Sequence, residues 1–265
     1  MKYLKGYVKS SLKYIFIPTH IVVGIIGVVG AYYFSLFQMM SIEGSVLDVF
    51  VSSLYFIPFI LALTFAAIPY VGVICEELEN GYIYLCILRG DLRAYVISRV
   101  LGIEISAIIT ILIGSFIFIL SVKYRLPWVD TNSVIYQTIL EQGCFQEILK
   151  NNQYVLYFLL YSFKIGLLTA NISSVALFLS LFWSNKFFVF SIPFLFYYFQ
   201  VYVLNASFAN LSSINLMNLY NSYYRIGDND ISSFLAAIFV NVIFLVLCGI
   251  GCFWKLNRRI QNNEK

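Results

Sequence analysis

The amino-acid sequence predicts an all-α, polytopic membrane protein. Of its 265 residues, 61% are hydrophobic and 11% are charged, whereas a soluble domain is about half apolar and about a quarter charged. The mean hydropathy is +0.84, and the chain contains 25 Phe, 21 Tyr and 3 Trp. Aromatic side chains suit lipid-facing surfaces and the belts at membrane–water interfaces. The composition therefore excludes an ordinary soluble globular domain.

Six apolar stretches are long enough to cross a bilayer, whose hydrocarbon core requires about 20 residues of helix. These stretches cover residues 15–37, 48–74, 96–120, 154–182, 187–205 and 233–254. We therefore expect a single six-helix transmembrane domain over residues 15–254. A cytoplasmic tail should follow over residues 255–265.

The first two predicted spans contain residues that affect helix geometry and packing. Gly24, Gly27 and Gly30 recur every third residue in the first span, which leaves a smooth strip where another helix can approach closely. The second span contains Pro58 and Pro69. We expect these prolines to kink a continuous helix rather than to end it.

The distribution of Lys and Arg sets the expected orientation. With the N-terminus in the cytoplasm, twelve of the 17 basic residues lie inside, four lie outside and one falls within a span. The inside group is Lys2, Lys5, Lys9, Lys13, Arg89, Arg93, Arg99, Lys186, Lys255, Arg258, Arg259 and Lys265. The outside group is Lys123, Arg125, Lys150 and Arg225. Because cytoplasmic loops carry an excess of basic residues, both termini are predicted to be cytoplasmic.

The N-terminal segment, residues 1–14, has the pattern of an amphipathic helix. Its four lysines are spaced by three, four and four residues, and its apolar residues recur on another face. Such a helix can lie along an anionic membrane surface. The alternative is a disordered basic tail.

Two long loops are expected outside. In the loop 121–153, Thr131 or Asn132 can cap a short amphipathic helix that should break or bend near Gly143. The region 206–232 is rich in Asn and Ser with scattered Leu and Tyr. We expect this region to be partly re-entrant.

The loop 75–95, between the second and third predicted spans, carries a short apolar segment of its own. The heptamer YIYLCIL lies between an acidic run and the sequence RGD. Gly81 can end the preceding helix in a left-handed conformation, and Asp91 can cap the helix that enters the third span. Two turns of apolar helix need a cover, which the protein's own helix ends, the lipid interface or a groove on another protein could supply.

The run EELENGYIYLCILRGDLRAYVISRVL resembles the first cytoplasmic loop of permease subunits of type-2 ABC exporters. Members of that family share the acidic residues, the following Gly, the short apolar segment and the polar turn, although Tyr82 stands where they usually have Thr and Arg89-Gly90 replaces a frequent Pro. The resemblance extends to chain length, six spans and cytoplasmic termini. It implies a multi-pass protein of the bacterial plasma membrane with a cytoplasmic coupling helix and an N-terminal interfacial helix.

The resemblance also implies partners and docking residues. In this family the loop rests in a cleft of a separate ABC ATPase subunit, usually present in two copies, and a second permease copy or a homologous permease completes the transporter. ATP and Mg²⁺ are bound by the ATPase, so no cofactor is expected in this chain. The docking residues would be Glu76, Glu77, Gly81, Leu85, Leu88, Arg89 and Asp91.

Two charges fall inside predicted spans and are candidates for a translocation path. Lys164 should lie near the middle of the fourth span, and Glu104 a few residues into the third. Because a charge in the bilayer centre costs about 2.5–3.5 kcal/mol on insertion scales, each needs a partner or an aqueous cavity. They could pair across the bundle, although their different depths argue against a direct pair, or Glu104 could snorkel or neutralise Arg99.

The predicted function is export of an amphipathic or hydrophobic substrate, such as a peptide of the bacteriocin type or a drug, as the permease subunit of an ATP-driven exporter. One alternative is an ATP-independent secondary transporter, although such proteins usually carry several ionisable sites at mid-membrane. Another is an intramembrane enzyme that uses Glu76 and Glu77. A metalloprotease site would need more histidines than His20, the one histidine in the sequence. We expect no metal site and no catalytic residues.

Overall fold

The structure, a computed structural model, describes residues 6–8, 10–11, 18–38, 44–83, 91–182, 185–199, 216–223, 225 and 229–261. All regular secondary structure within these ranges is helical. The elements longer than four residues are α1 (Pro18–Gln38), α2 (Val46–Ser53), α3 (Pro58–Glu79), α4 (Leu92–Lys123), α5 (Val134–Gln142), α6 (Gln146–Lys150), α7 (Tyr154–Ser180), α8 (Lys186–Tyr198), α9 (Leu216–Tyr220) and α10 (Asp230–Gln261).

Five of these helices are long and apolar enough to cross a membrane, namely α1, α3, α4, α7 and α10. They correspond to the first four predicted spans and to the sixth. The fifth predicted span, 187–205, contains α8, which has 13 residues. Residues 200–215 lie outside the described ranges, so a sixth crossing stays a prediction.

The second predicted span differs from the sequence-based expectation. Residues 48–74 do not form one kinked helix, because α2 ends at Ser53 and α3 begins at Pro58. Proline has no backbone N–H and its fixed φ suits the first position of a helix, so Pro58 starts α3. Ser45 and Asp48 form a reciprocal capping box that starts α2 independently. Pro69 lies within α3, as expected.

The helices pack into one bundle with two hydrophobic clusters along its length. The most extensive helix–helix packing joins α4 to α7 and α1 to α3. One cluster is rich in aromatic side chains and lies towards the end formed by α2, α5, α6 and α9, which we call the capped end. The other lies where α3, α7 and α10 end and α4 begins, which we call the basic end. The sequence-based orientation assigns the basic end to the cytoplasm.

The glycine strip of α1 acts in packing at two of its three positions. A Cβ atom at Gly24 would lie 2.8 Å from the ring of Pro69, and one at Gly27 would collide with the ring of Phe65. These two glycines therefore allow the close contact between α1 and α3. A Cβ at Gly30 would meet no atom within 4 Å, so no described helix approaches α1 closely at this position.

The loop between α4 and α7 forms part of the capped end. It contains α5 and α6, separated near Gly143 as the sequence predicts. The residue that caps α5 is Ser133 rather than Thr131 or Asn132, because the Ser133 hydroxyl accepts a 3.1 Å hydrogen bond from the Tyr136 backbone N–H. The Asn132 N–H is instead bonded to Asp130.

Candidate functional site

The predicted docking loop is described on both of its flanks. Glu76, Glu77 and Gly81 lie at the end of α3, and Asp91 lies at the start of α4. Leu85, Leu88 and Arg89 fall in residues 84–90, outside the described ranges.

The two flanks have the backbone geometry that the sequence predicts. Gly81 adopts the left-handed conformation, with φ +65°, and its N–H donates to the Leu78 carbonyl at 3.2 Å. Only glycine adopts this conformation without a steric cost from Cβ. Asp91 is the N-cap of α4, and its carboxylate accepts a 3.0 Å hydrogen bond from the Arg93 backbone N–H. Both predictions of helix ends are confirmed.

A buried ion pair joins the two helices directly behind this loop. The Arg99 guanidinium of α4 contacts the Glu77 carboxylate of α3, and their side chains are only 4% and 6% exposed. The Tyr95 hydroxyl donates to the other Glu77 oxygen at 2.6 Å. Glu77 therefore faces the neighbouring helices, whereas the half-buried Glu76 precedes it on α3.

The same guanidinium also reaches the N-terminal segment and a second position on α3. Arg99 donates to the Tyr70 hydroxyl at 2.9 Å and to the Ser11 hydroxyl at 3.2 Å. The Tyr7 ring packs edge-on against Tyr95. We call this group of Ser11, Tyr70, Glu77, Tyr95 and Arg99 the basic-end clamp, because it fixes three chain segments to one another.

The backbone of α4 makes room for one member of the clamp. A Cβ atom at Gly102 would lie 2.7 Å from the Tyr70 hydroxyl and the neighbouring ring carbon. Only glycine at this position lets the Tyr70 ring lie flat against α4 and present its hydroxyl to Arg99. The residues 99 and 102 are three apart and so share one face of the helix.

Glu104 belongs to a separate polar group inside the bundle. It is 5% exposed and accepts a 3.2 Å hydrogen bond from the Ser174 hydroxyl of α7. One turn earlier on α7, Asn171 donates to the Tyr220 hydroxyl at 2.5 Å and accepts from Asn241 of α10 at 3.0 Å. Polar side chains therefore link α4, α7, α9 and α10 across the interior, and Glu104 is the charged member of this group.

Lys164 lies near the capped end and is completely buried. Its ammonium group donates to the Cys144 sulfur at 3.5 Å, and that sulfur lies 3.3 Å from the Ser233 hydroxyl. The Tyr157 hydroxyl and one Asp230 carboxylate oxygen are also buried, and neither has a hydrogen-bond partner within the described chain. Lys164 thus lies in a polar interior to which the loop between α4 and α7, the start of α7 and the start of α10 all contribute.

The two intramembrane charges have different partners, so the structure does not join them as a pair. Glu104 is bonded to Ser174, and Lys164 to Cys144. Arg99 pairs with Glu77 rather than with Glu104, and it forms the one salt bridge among the residues that the structure describes. Two of the sequence-based suggestions for Glu104, a pair with Lys164 and neutralisation of Arg99, are therefore wrong.

Sequence reasoning missed the tyrosine and asparagine members of these groups. Tyr70, Tyr95, Asn171 and Asn241 all lie within or beside apolar stretches, where only formal charges were considered. An Asn at mid-span has an amide that must find a partner in hydrocarbon. Uncharged polar residues within the spans were therefore the available signal for Asn171 and Asn241.

The described ranges contain no group of three His, Cys, Asp or Glu side chains that could hold a metal ion. His20 is exposed near the start of α1.

Comparisons of the chain with protein-family models, with curated proteins and with solved structures return no match.

Proposed function

We propose that the chain is the permease subunit of an ATP-driven ABC exporter in a bacterial plasma membrane. Separate ABC ATPase subunits, two in the complete transporter, bind ATP and Mg²⁺ and dock on the loop 75–95. A second permease copy or a homologous permease completes the assembly. The substrate is an amphipathic or hydrophobic molecule, such as a bacteriocin-type peptide or a drug.

The basic-end clamp is the observation that carries this proposal. A loop that receives force from a motor must be attached firmly to the helices that it moves. Here Glu77, about one turn before Gly81, is bonded to Arg99, about two turns after Asp91. Displacement of the loop would therefore move α3 and α4 together as one body.

The clamp also includes the N-terminal segment. The Ser11 hydroxyl accepts from Arg99, and Tyr7 packs on Tyr95. A basic amphipathic segment on the membrane surface would therefore move together with α3 and α4. This arrangement suits the proposed mechanism, in which movement of the docking loop has to be passed to the helices of the bundle.

The outer faces of the bundle suit lipid and a second permease. On α10, side chains such as Leu235, Phe239, Leu247 and Ile250 are more than half exposed, and on α1 Ile26 and Phe37 are as well. Apolar faces of this extent are stable in lipid or against another apolar surface. The weakly charged spans also agree with an apolar or amphipathic substrate, for which Glu104 and Lys164 would line the path.

The docking residues can be tested by substituting Leu85 and Leu88 with Asp in the full chain, co-expressed with its cognate ATPase. If both leucines are buried interface anchors, each change costs about 2 kcal/mol or more, which is about thirtyfold in Kd per residue. We expect loss of ATPase co-purification and of substrate-dependent ATP hydrolysis, with normal membrane insertion.

A matched control is Val134→Asp, which places the same charge on an exposed residue of α5 at the capped end. It should retain the ATPase. Unchanged ATPase co-purification and unchanged substrate-dependent ATP hydrolysis in the Leu85→Asp/Leu88→Asp variant would overturn the docking assignment. Transport by the purified chain alone, in vesicles without ATP, would instead establish the secondary-transporter alternative.

A further inference from the structure

A long apolar groove runs between α4 and α10 in the half of the bundle near the basic end. Its volume is about 410 Å³, and nine of its ten lining residues are apolar side chains or glycine. Val96 and Val100 form one wall, and Leu245 and Ile250 form the other. The tenth lining residue is Arg93, at the end of the groove where α4 begins.

The length of the groove matches one leaflet of a bilayer. On α4 it extends from Arg93 to Leu101, and on α10 from Phe253 to Leu245. Eight residues of helix rise by about 12 Å on either wall, and half of a ~30 Å hydrocarbon core is about 15 Å. With its Arg93 end at the membrane surface, a groove of this length would cover most of one leaflet.

Gly249 keeps the floor of the groove open. A Cβ atom built on this glycine would meet no atom within 4 Å, so glycine is not needed there for contact between α10 and another described helix. A larger side chain at position 249 would project into the groove and fill it.

One positive charge lies at the end of the groove where α4 begins. The Arg93 guanidinium lies 5.8 Å from the centre of the Phe253 ring, which holds it over the groove. It forms no ion pair with any acidic side chain of the described chain, and Asp91 uses its carboxylate on a backbone N–H. Arg258 and Arg259 lie in the last turn of α10 and are not among the residues that line the groove.

We propose that this groove binds one phospholipid with an anionic headgroup, separately from the transport substrate. One acyl chain fills the apolar groove, and Arg93 holds the negatively charged phosphate of the headgroup at the surface. The long apolar walls suit the acyl chain, and the guanidinium of Arg93, which forms no ion pair within the described chain, selects negative charge. The proposal does not depend on the exporter assignment.

The test is native mass spectrometry of the purified full chain, titrated with phosphatidylglycerol and with phosphatidylcholine of the same acyl chains. The wild type should bind phosphatidylglycerol about fivefold or more tightly, because one basic residue near an anionic lipid contributes about 1 kcal/mol. Arg93→Gln should weaken phosphatidylglycerol binding by about fivefold and phosphatidylcholine binding by less, because the choline cation already offsets the phosphate charge of phosphatidylcholine. Gly249→Leu should weaken binding of both lipids, and the smaller Gly249→Val should do so partially.

The matched control is Gly30→Leu, which adds the same side chain at an exposed glycine of α1 where a Cβ also meets no atom. It should bind both lipids like the wild type, and circular dichroism should show equal helix content in all variants. Equal affinity for the two lipids in the wild type, or no effect of Arg93→Gln, would overturn the proposal. A shift from dimer to monomer in Gly249→Leu without a change in lipid binding would identify a second copy as the occupant and would equally overturn it.

Discussion

The Glu77–Arg99 pair should behave as a single stabilising unit, and removing one partner should be worse than removing both. The two side chains are 4% and 6% exposed, so either charge would be left in a low-dielectric interior without its partner. Breaking a buried pair in this way costs about 3–5 kcal/mol, whereas replacing both charges with apolar groups is close to neutral. We therefore expect Arg99→Met and Glu77→Met each to lower the free energy of unfolding by about 3–5 kcal/mol.

The hydrogen bonds around the pair sharpen this expectation for each single variant. After Arg99→Met, Glu77 retains only the bond from Tyr95 within the clamp. After Glu77→Met, Arg99 retains Tyr70 and Ser11, both uncharged. Neither set neutralises the remaining charge. The Glu77→Met/Arg99→Met double variant should fall within about 2 kcal/mol of the wild type, far below the sum of the single costs.

The assay is reversible unfolding of the purified chain in mixed detergent micelles, followed by far-UV circular dichroism. Arg125→Met, at an exposed loop position, is the control and should change the free energy of unfolding by less than about 0.5 kcal/mol. A double variant whose cost equals the sum of the two single costs would refute the reasoning, because the two side chains would then act independently. If Arg99→Met and Glu77→Met each lowered the free energy of unfolding by less than about 1 kcal/mol, water would have to reach the pair.

Two further predictions concern Asp91 and Lys164. Asp91→Ala should lower the free energy of unfolding by about 1 kcal/mol through loss of the α4 N-cap, while Asp91→Asn retains the cap; equal costs for the two variants, measured by the same unfolding assay, would contradict the capping role. Lys164→Met should keep or raise the free energy of unfolding, because it removes a buried ammonium whose bonded neighbour is a thiol. If Lys164 lines the substrate path, the same variant should lower export in a vesicle assay by about tenfold or more, and wild-type export would remove it from the path.

Some local features could be predicted because they depend on few neighbouring residues. Gly81 adopts the left-handed conformation, Asp91 caps α4 and the helix in the loop 121–153 is interrupted at Gly143. The spacing of apolar residues also located the five long apolar helices. Each of these features follows from backbone sterics, capping or the length of helix that hydrocarbon requires.

Other local predictions failed because two local effects competed. Pro58 can kink a helix or begin one; here α2, which the capping box at Ser45 and Asp48 starts, ends at Ser53, and Pro58 begins α3. Three neighbouring residues, Thr131, Asn132 and Ser133, have comparable capping ability, and Ser133 caps α5 because its hydroxyl accepts from the Tyr136 backbone N–H.

The sequence by itself determined that the chain is helical and apolar enough to lie in a membrane, because helix length and side-chain transfer energies are properties of single segments. Only the tertiary structure decided which charges meet. Glu77 and Arg99 lie on different helices, and Gly30 and Gly24 lie on one helix but have different neighbours. Such outcomes depend on the rotation and depth of each helix in the bundle, which are set by side-chain packing between segments far apart in the sequence.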